Sequence, residues 1–388
     1  MSSNIKDIAR KLGISATAVS KALNNRKDIS EKLKKKIRET ARELDYIPNS
    51  IAKRLVTNKS NTIGVFIFSR QESTFSKDLG LQFLGGILEE ANTNNYDIVL
   101  FSTDSDLLNK KSYIELCKER RAEGAIFTGL RLDDPHIKKI KNSTFPISII
   151  DTYIEGKNVN FVSTDNKLGV QLALDYLWGL GHRRIAMING HRKAQVSQER
   201  LNAYQNYLEE KEIYDERLVF TGDFTEDSGY QCAEKIMRLK ELPSAIFVAS
   251  DLMALGVIKA FKESSFKLPE DMSIIGFDNI STGEYIEPRL TTIGQDAVGM
   301  GKWSVRLILN KLKKEEPQKK YLLKPKLIIR DSCSSVNINK LDGEFKKTPG
   351  SKFKKWKEGI DAVKIVTDIY LFSNFKYKIY GGEKWKGI

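Results

Sequence analysis

Between Leu12 and Ser15 the chain has room for only a tight turn, and that turn constrains what both flanks can be. Ile5, Ile8, Ala9 and Leu12 recur at helical spacing; Gly13 is the residue a helix ends on, and Ser15, after one apolar residue, is able to cap a second helix. That second helix buries Val19, Ala22 and Leu23, which turns Ala16, Thr17, Ser20, Lys21 and Asn24 outward as a row of small or polar side chains. A third helix, capped by Ser30, runs through Leu33, Ile37, Ala41 and Leu44, with Lys32, Lys34, Lys35, Lys36, Arg38 and Arg42 elsewhere on it. Three short helices with a basic outer surface fit a helix-turn-helix head, in which the second helix reads base edges and lysines hold phosphate. The expected DNA contacts are Asn4, Ser15, Ala16, Thr17, Ser20, Lys21 and Asn24.

Charge supports the same division of labour. The chain of 388 residues has a net charge of +14, of which residues 1–61 carry +9 and residues 336–388 carry +6, leaving the stretch between them at −1. A compact basic unit joined to a neutral body points to nucleic acid as partner of the first and a different partner for the second. Cys117, Cys232 and Cys333 are far apart, odd in number and in no metal-ligand spacing, so neither disulfides nor a metal is expected. With no apolar run of membrane-spanning length and no leader pattern, the expectation is a soluble, cytoplasmic protein without membrane association.

After the third helix come Tyr46-Ile47-Pro48-Asn49-Ser50-Ile51-Ala52-Lys53-Arg54-Leu55 and a polar link. Pro48 stops one helix and pre-sets the next, Asn49 is placed to cap it, and a segment of two turns needs a partner to be stable. Ile5-Lys6-Asp7-Ile8-Ala9, Ser15 through Asn24, Tyr46-Ile47-Pro48-Asn49 and Ala52 to Leu55 together resemble the lactose- and galactose-repressor family of bacterial transcription regulators, almost continuously over residues 4–56. The resemblance implies that Leu55 wedges between base pairs from the minor groove, with Ala52 beside it and Asn49 in the same DNA-binding set; the alternative is a linker leucine that covers the body.

From Thr62 onward apolar runs alternate with amphipathic helical ones. Ile63–Phe68, Tyr96–Phe101, Gly124–Phe127 and Phe145–Ile150 read as strands, and the pattern resumes at Arg184–Ile188, Leu218–Thr221, Ala245–Ala249 and Ser273–Phe277. Repeated βα units with near-continuous apolar strands mean parallel sheets covered on both faces. The fold class is therefore an all-α helix-turn-helix head followed by α/β, with two doubly wound parallel-sheet lobes and a ligand cleft between them. Boundaries are placed at residues 1–46 (head), 47–61 (hinge helix and linker), 62–335 (two-lobed ligand-binding and dimerisation domain) and 336–388 (a basic, aromatic extension). Gly181-His182-Arg183-Arg184-Ile185, Asp251–Gly256, Gly276-Phe277-Asp278-Asn279 and Leu290-Thr291-Thr292-Ile293 continue the resemblance, which implies the periplasmic-binding-protein-like body of that family.

Ligands of open α/β sheets sit beyond the carboxyl ends of the strands, where this chain has Asp151, Asn189, Asp223, Ser250, Asp251 and Asp278. By resemblance, Arg200 clamps ligand hydroxyls or carboxylate, Asp278 is the matching acid and Phe224 an aromatic wall. Phe75 and Asp151 close the site from the other lobe, with Gln295 and Asp165 nearby and Ser250 included in the set. Helix capping is the competing role for Asp165, and for Asp251 it is the favoured one. Carboxylates, a guanidinium and aromatic faces suit a small polyhydroxylated ligand, a sugar or sugar derivative. Val196 lacks the hydroxyl expected just before Arg200, which separates the ligand from those of the best-known family members.

No GxGxxG, GxSxG or HExxH is present, Gly299-Met300-Gly301-Lys302-Trp303 lacks the spacing of a phosphate loop, and His136, His182 and His191 have no ligand spacing, His182 being read as a turn residue. The function expected is that of a DNA-binding transcription regulator, a repressor acting as a homodimer or higher assembly on double-stranded operator DNA, controlled by a small-molecule carbohydrate effector. It is expected to be neither an enzyme nor dependent on a cofactor. The alternatives are a transport-type receptor, or a sugar-modifying enzyme with a nucleic-acid tether. The basic, aromatic residues after Ser335 fit extra DNA or partner contact, a packing element, or no selected role.

Overall fold

The structure, a computed structural model, describes residues 4–23, 25–26, 28–46, 60–68, 77–101, 111–315 and 320–336. Asn24, Asn49, Ala52, Leu55 and Phe75, and the extension beyond Val336, lie outside the described residues. The chain divides between Ser60 and Asn61 into two units, each with its own core.

The head comprises α1 (Ile5–Leu12), α2 (Ala16–Leu23) and α3 (Glu31–Glu43). Asn4 and Asp7 form a reciprocal capping box at the start of α1, and Gly13 ends that helix at φ +65°, a conformation that costs glycine nothing. Ser15 Oγ accepts from Ala18 N at 3.1 Å, and Ser30 Oγ accepts from Leu33 N at 3.4 Å. Ile8, Ala9, Val19, Ala22, Ile37 and Ala41 form the buried core on which the three amphipathic stripes converge. One residue departs from the sequence reading. Lys34 is only 4% exposed, its stem covered and its ammonium 2.7 Å from Glu31 Oε1, so it belongs to the inner side of α3 and not to the basic outer surface.

In the second unit the order is β1 (Thr62–Ile67), α4 (Lys77–Thr93), β2 (Asp97–Phe101), α5 (Tyr113–Glu119), β3 (Gly124–Thr128), α6 (Ile137–Lys141), β4 (Ile147–Ile150) and β5 (Val159–Thr164). It continues with α7 (Asn166–Gly179), β6 (Ile185–Asn189), α8 (Gln195–Glu210), β7 (Val219–Thr221), α9 (Glu226–Met237), β8 (Ala245–Val248) and α10 (Asp251–Lys262). β9 (Ser273–Asp278), β10 (Thr291–Gly294), α11 (Ala297–Leu312), β11 (Lys320–Leu323) and β12 (Lys326–Ile328) complete it. Two six-stranded sheets result, ordered β11-β5-β4-β3-β1-β2 and β12-β10-β9-β8-β6-β7. Every pairing is parallel except β10 with β12. The chain crosses between lobes after β5, after β10 and between β11 and β12, so α11 packs on α4 of the first lobe although it follows the second.

Central strands are buried on both faces, as their Ile/Val/Phe runs require. β5 was not legible that way: Asn160, Ser163 and Thr164 are buried within it. Asn160 Nδ2 donates to Ile147 O at 3.1 Å and Ser163 Oγ to Asp151 Oδ1 at 2.6 Å, which removes the cost of burying them. His182 stands in the turn that ends α7, as expected, and is also a buried tie, with ring nitrogens 2.9 Å from Ser244 Oγ and 3.0 Å from Ser334 O. Burial holds its pKa down at about 4. Gly301, from the motif rejected as a phosphate loop, lies against the backbone of Phe83, Gly86 and Ile87 and lets α11 approach α4 closely.

Candidate functional site

The expected pocket residues come from the carboxyl ends of strands in both sheets. Asp151 follows β4, Asp165 follows β5, Ser250 follows β8, Asp278 ends β9 and Gln295 follows β10, while Arg200 reaches in from the second turn of α8. This is the place where a doubly wound sheet binds ligands.

Arg200 is the hub. Its guanidinium lies 3.7 Å from the ring centroid of Phe277, its Nε donates to Asn166 Oδ1 at 2.8 Å and its Nη1 donates to Ala249 O at 2.5 Å. Burial lowers the pKa of Arg200, opposed by the charges of Asp278, Asp151, Glu199 and Asp251. Asp278 Oδ1 accepts from Gln295 Nε2 at 2.6 Å. Burial is the main force raising the Asp278 carboxyl well above the usual range; Arg200 pulls the other way and nearby Asp251 adds to the rise. Asp151 is raised by burial too, against the Ser163 hydrogen bond and the Arg200 charge.

Asp165 Oδ1 accepts from Leu168 N at 3.0 Å as the N-cap of α7, and Ser250 Oγ from Met253 N at 3.3 Å as the N-cap of α10, so helix starts hold part of their bonding capacity. The capping role expected of Asp251 is a correction: it stands one residue inside α10. Its carboxylate accepts instead from Thr292 Oγ1 at 2.6 Å and Ile280 N at 3.0 Å, tying β10 to the loop after β9. Phe224 is half-buried, its ring against Gly190 and edge-on to His191 at 5.4 Å.

Sequence reasoning missed a relay that links the lobes. Tyr153 N donates to Gln195 Oε1 at 2.6 Å, Gln195 Nε2 to Glu199 Oε1 at 2.7 Å, and Asn166 Nδ2 to Glu199 Oε2 at 2.8 Å, while Asn166 Oδ1 receives Arg200. Leu132 N also donates to Lys193 O at 2.9 Å, and Lys193 Nζ is 2.5 Å from Asp133 Oδ2. The available signal was the polar Gln195 and Glu199 one turn apart beside Arg200. Ser197, on the same face of α8 as Arg200, is 1% exposed and its Oγ has no hydrogen-bond partner; Gln295 Oε1 is in the same condition. Ser197 thus places a buried hydroxyl one position after Val196. The charges of Asp278, Asp151, Glu199 and Asp251 all act on the one Arg200 guanidinium.

On the head, Thr17 and Lys21 are exposed along α2, Ala16 and Ser20 are half-buried, and Ser15 and Asn4 begin the two helices. Lys32, Lys35, Lys36, Arg38 and Arg42 form the exposed basic set on α3. Among the described residues no group of acids, histidines and cysteines is arranged to hold a metal, and no helix is long and apolar enough to cross a membrane.

A helix-turn-helix head joined to a two-lobed body with a buried polar cluster between its sheets defines a ligand-binding, DNA-binding regulator. Residues 4–49 match the family of bacterial regulatory proteins of the lacI type, and residues 174–333 match the periplasmic binding protein-like domain. It is 29% identical over 336 residues to the HTH-type transcriptional repressor PurR of Vibrio atlanticus, covering 86% of this chain and 99% of that one. PurR of Photobacterium profundum is 27% identical over the same length and shares. The lac repressor dimer bound to operator and the anti-inducer ONPF superposes with a TM-score of 0.74 at 25% identity, over 86% of this chain and 100% of that one. A LacI family transcriptional regulator from Enterococcus faecium with bound ribose gives 0.61 at 25%, over 71% of this chain and 100% of that one.

Proposed function

We propose that this protein is a repressor that binds a near-palindromic operator as a homodimer in the bacterial cytoplasm, and that its operator affinity is set by a sugar or sugar derivative held between its lobes. The observation that carries the effector reading is the cluster of Asp151, Asn166, Glu199, Arg200, Asp278 and Gln295 at the strand ends, rich in acceptors and drawn from both lobes. Ribose in the similar regulator from Enterococcus faecium supports that ligand class. In this reading the cluster binds and positions without bond chemistry. Thr17 and Lys21 read base edges, Asn4, Ser15, Ala16, Ser20 and Asn24 complete the head contacts, and Asn49, Ala52 and Leu55 form the minor-groove segment. A head contacts half a site, so two copies are needed for a palindrome.

Two measurements test it. Selection from a random duplex pool is expected to return a near-palindrome whose consensus changes with Thr17→Ala; an unchanged consensus removes Thr17 from the reading set. A thermal-shift panel of neutral sugars, amino sugars, sugar phosphates and nucleobases is expected to give a shift with a neutral or amino sugar that Asp151→Asn abolishes, the amide still accepting from Ser163. A shift with nucleobases alone would overturn the carbohydrate reading and leave the DNA reading standing.

A further inference from the structure

Lys21, exposed on the outer side of α2, is already engaged: its Nζ is 2.6 Å from Asp28 Oδ2, in the turn before α3. Both side chains are about half exposed, at 48% and 54%. The turn that carries Asp28 is fixed on its other sides. Arg38 Nη2 donates to Asn25 Oδ1 at 3.3 Å, Ile29 packs against the head core, and Ser30 caps α3. The carboxylate therefore stands at a defined place beside Lys21 of α2, in a head whose α3 carries an exposed set of Lys and Arg.

An acid in that position is costly near phosphate unless it does something for recognition. An ammonium has three N–H donors. Asp28 occupies one and so aims the remaining two, and the exposed pair is weak enough to be shared with a base-edge acceptor. On DNA without that acceptor, Lys21 would gain most by swinging to the nearest phosphate, and the carboxylate competes for it.

We propose that Asp28 is a specificity-determining residue that acts through Lys21: it pre-positions the ammonium for a base-edge acceptor and opposes its capture by phosphate on other sequences. The inference rests on the reading of the head as a sequence-specific DNA binder. Arg26 is the other cation whose charge acts on this carboxylate, and together with the Lys21 hydrogen bond it keeps Asp28 ionised and its pKa below the usual carboxylate value. Lys21 and Asp28 thus meet DNA as a charged pair.

The test uses the full chain and two duplexes, one selected from a random pool and one with the same bases shuffled, titrated by fluorescence anisotropy. Asp28→Asn is expected to lower the selected-to-shuffled affinity ratio more than threefold, mainly by tightening binding to the shuffled duplex, and Asp28→Ser to do the same. Asp28→Glu is expected to retain most of the ratio. In a Lys21→Gln background, Asp28→Asn is expected to change the ratio less than threefold. A ratio held within threefold by both Asp28→Asn and Asp28→Ser overturns the proposal, as does an equal fall in the Lys21→Gln background, which would mark simple charge repulsion. A wild-type chain that binds both duplexes alike would remove the reading of the head itself, and this proposal with it.

Discussion

Asp151, Phe224 and Asp278 stand on backbone that residues other than glycine rarely adopt, with φ of +68°, +70° and +129°. Such conformations cost on the order of 1–3 kcal/mol each and gather where a side chain must be aimed at something. Here all three leave the ends of strands. Asp278 carries a second cost in its burial, which gives it a measurable signature. Its carboxyl titrates above its ordinary value, so between that value and the folded one the native state binds more protons than the unfolded state, and stability falls as pH rises through that window. Asp278→Asn has no such penalty. The stability of this variant relative to wild type should therefore climb as pH is raised above about 4, read as a growing difference in melting temperature, and stay flat below about pH 4. Circular-dichroism melts in a buffer series decide it; a difference that falls with pH would show that attraction to Arg200 outweighs burial.

Among elements, helix pairs set how close the layers come. α11 meets α4 through Gly301 and Gly86, and α9 meets α10 through Gly229 and Gly256; a Cβ at Gly301 would overlap the Phe83 carbonyl, and one at Gly256 the Glu226 carbonyl. Backbone atoms cannot step aside cheaply, so Gly301→Ala and Gly256→Ala should each cost about 1–3 kcal/mol, read as a lowered melting temperature. Gly85, one residue before Gly86, has nothing within 4 Å of its added Cβ, and Gly85→Ala should raise stability by about 0.5–1 kcal/mol. A loss at Gly85 as large as that at Gly301 would mean that helical glycine itself, and not close approach, is what matters. The same contrast explains what the sequence made legible. Apolar runs announced β1 to β4 and β6 to β9, and caps with helical spacing announced the head, because those signals are local. β5 conceals its burial behind Asn160, Ser163 and Thr164, and the roles of Asn166 and Glu199 exist only once α7 and α8 lie side by side. The polar residues at strand ends were predictable from topology, whereas which of them caps a helix and which ties neighbouring elements together depends on a shift of one residue, as Ser250 and Asp251 show.

For the body as a whole, the third crossing runs directly from strand to strand: β11 ends at Leu323 in one sheet and β12 begins at Lys326 in the other, with only Lys324 and Pro325 between. Pro325 fixes its own φ and confines the residue before it to extended conformations, so the strap has little torsional freedom. Pro325→Gly should broaden the distribution of distances between spin labels placed on α6 and α8, with a small loss of thermal stability; an unchanged distribution would show that the other two crossings alone set the lobe angle. Two rigid sheets joined through so short a strap have, to first order, a single coordinate along which they can move. Whatever occupies the cleft is then read out as one number, the angle it holds. Chemically unlike molecules that hold the same angle are synonyms to the rest of the protein, and side chains lining the cleft are free to change their vocabulary without rewriting the message.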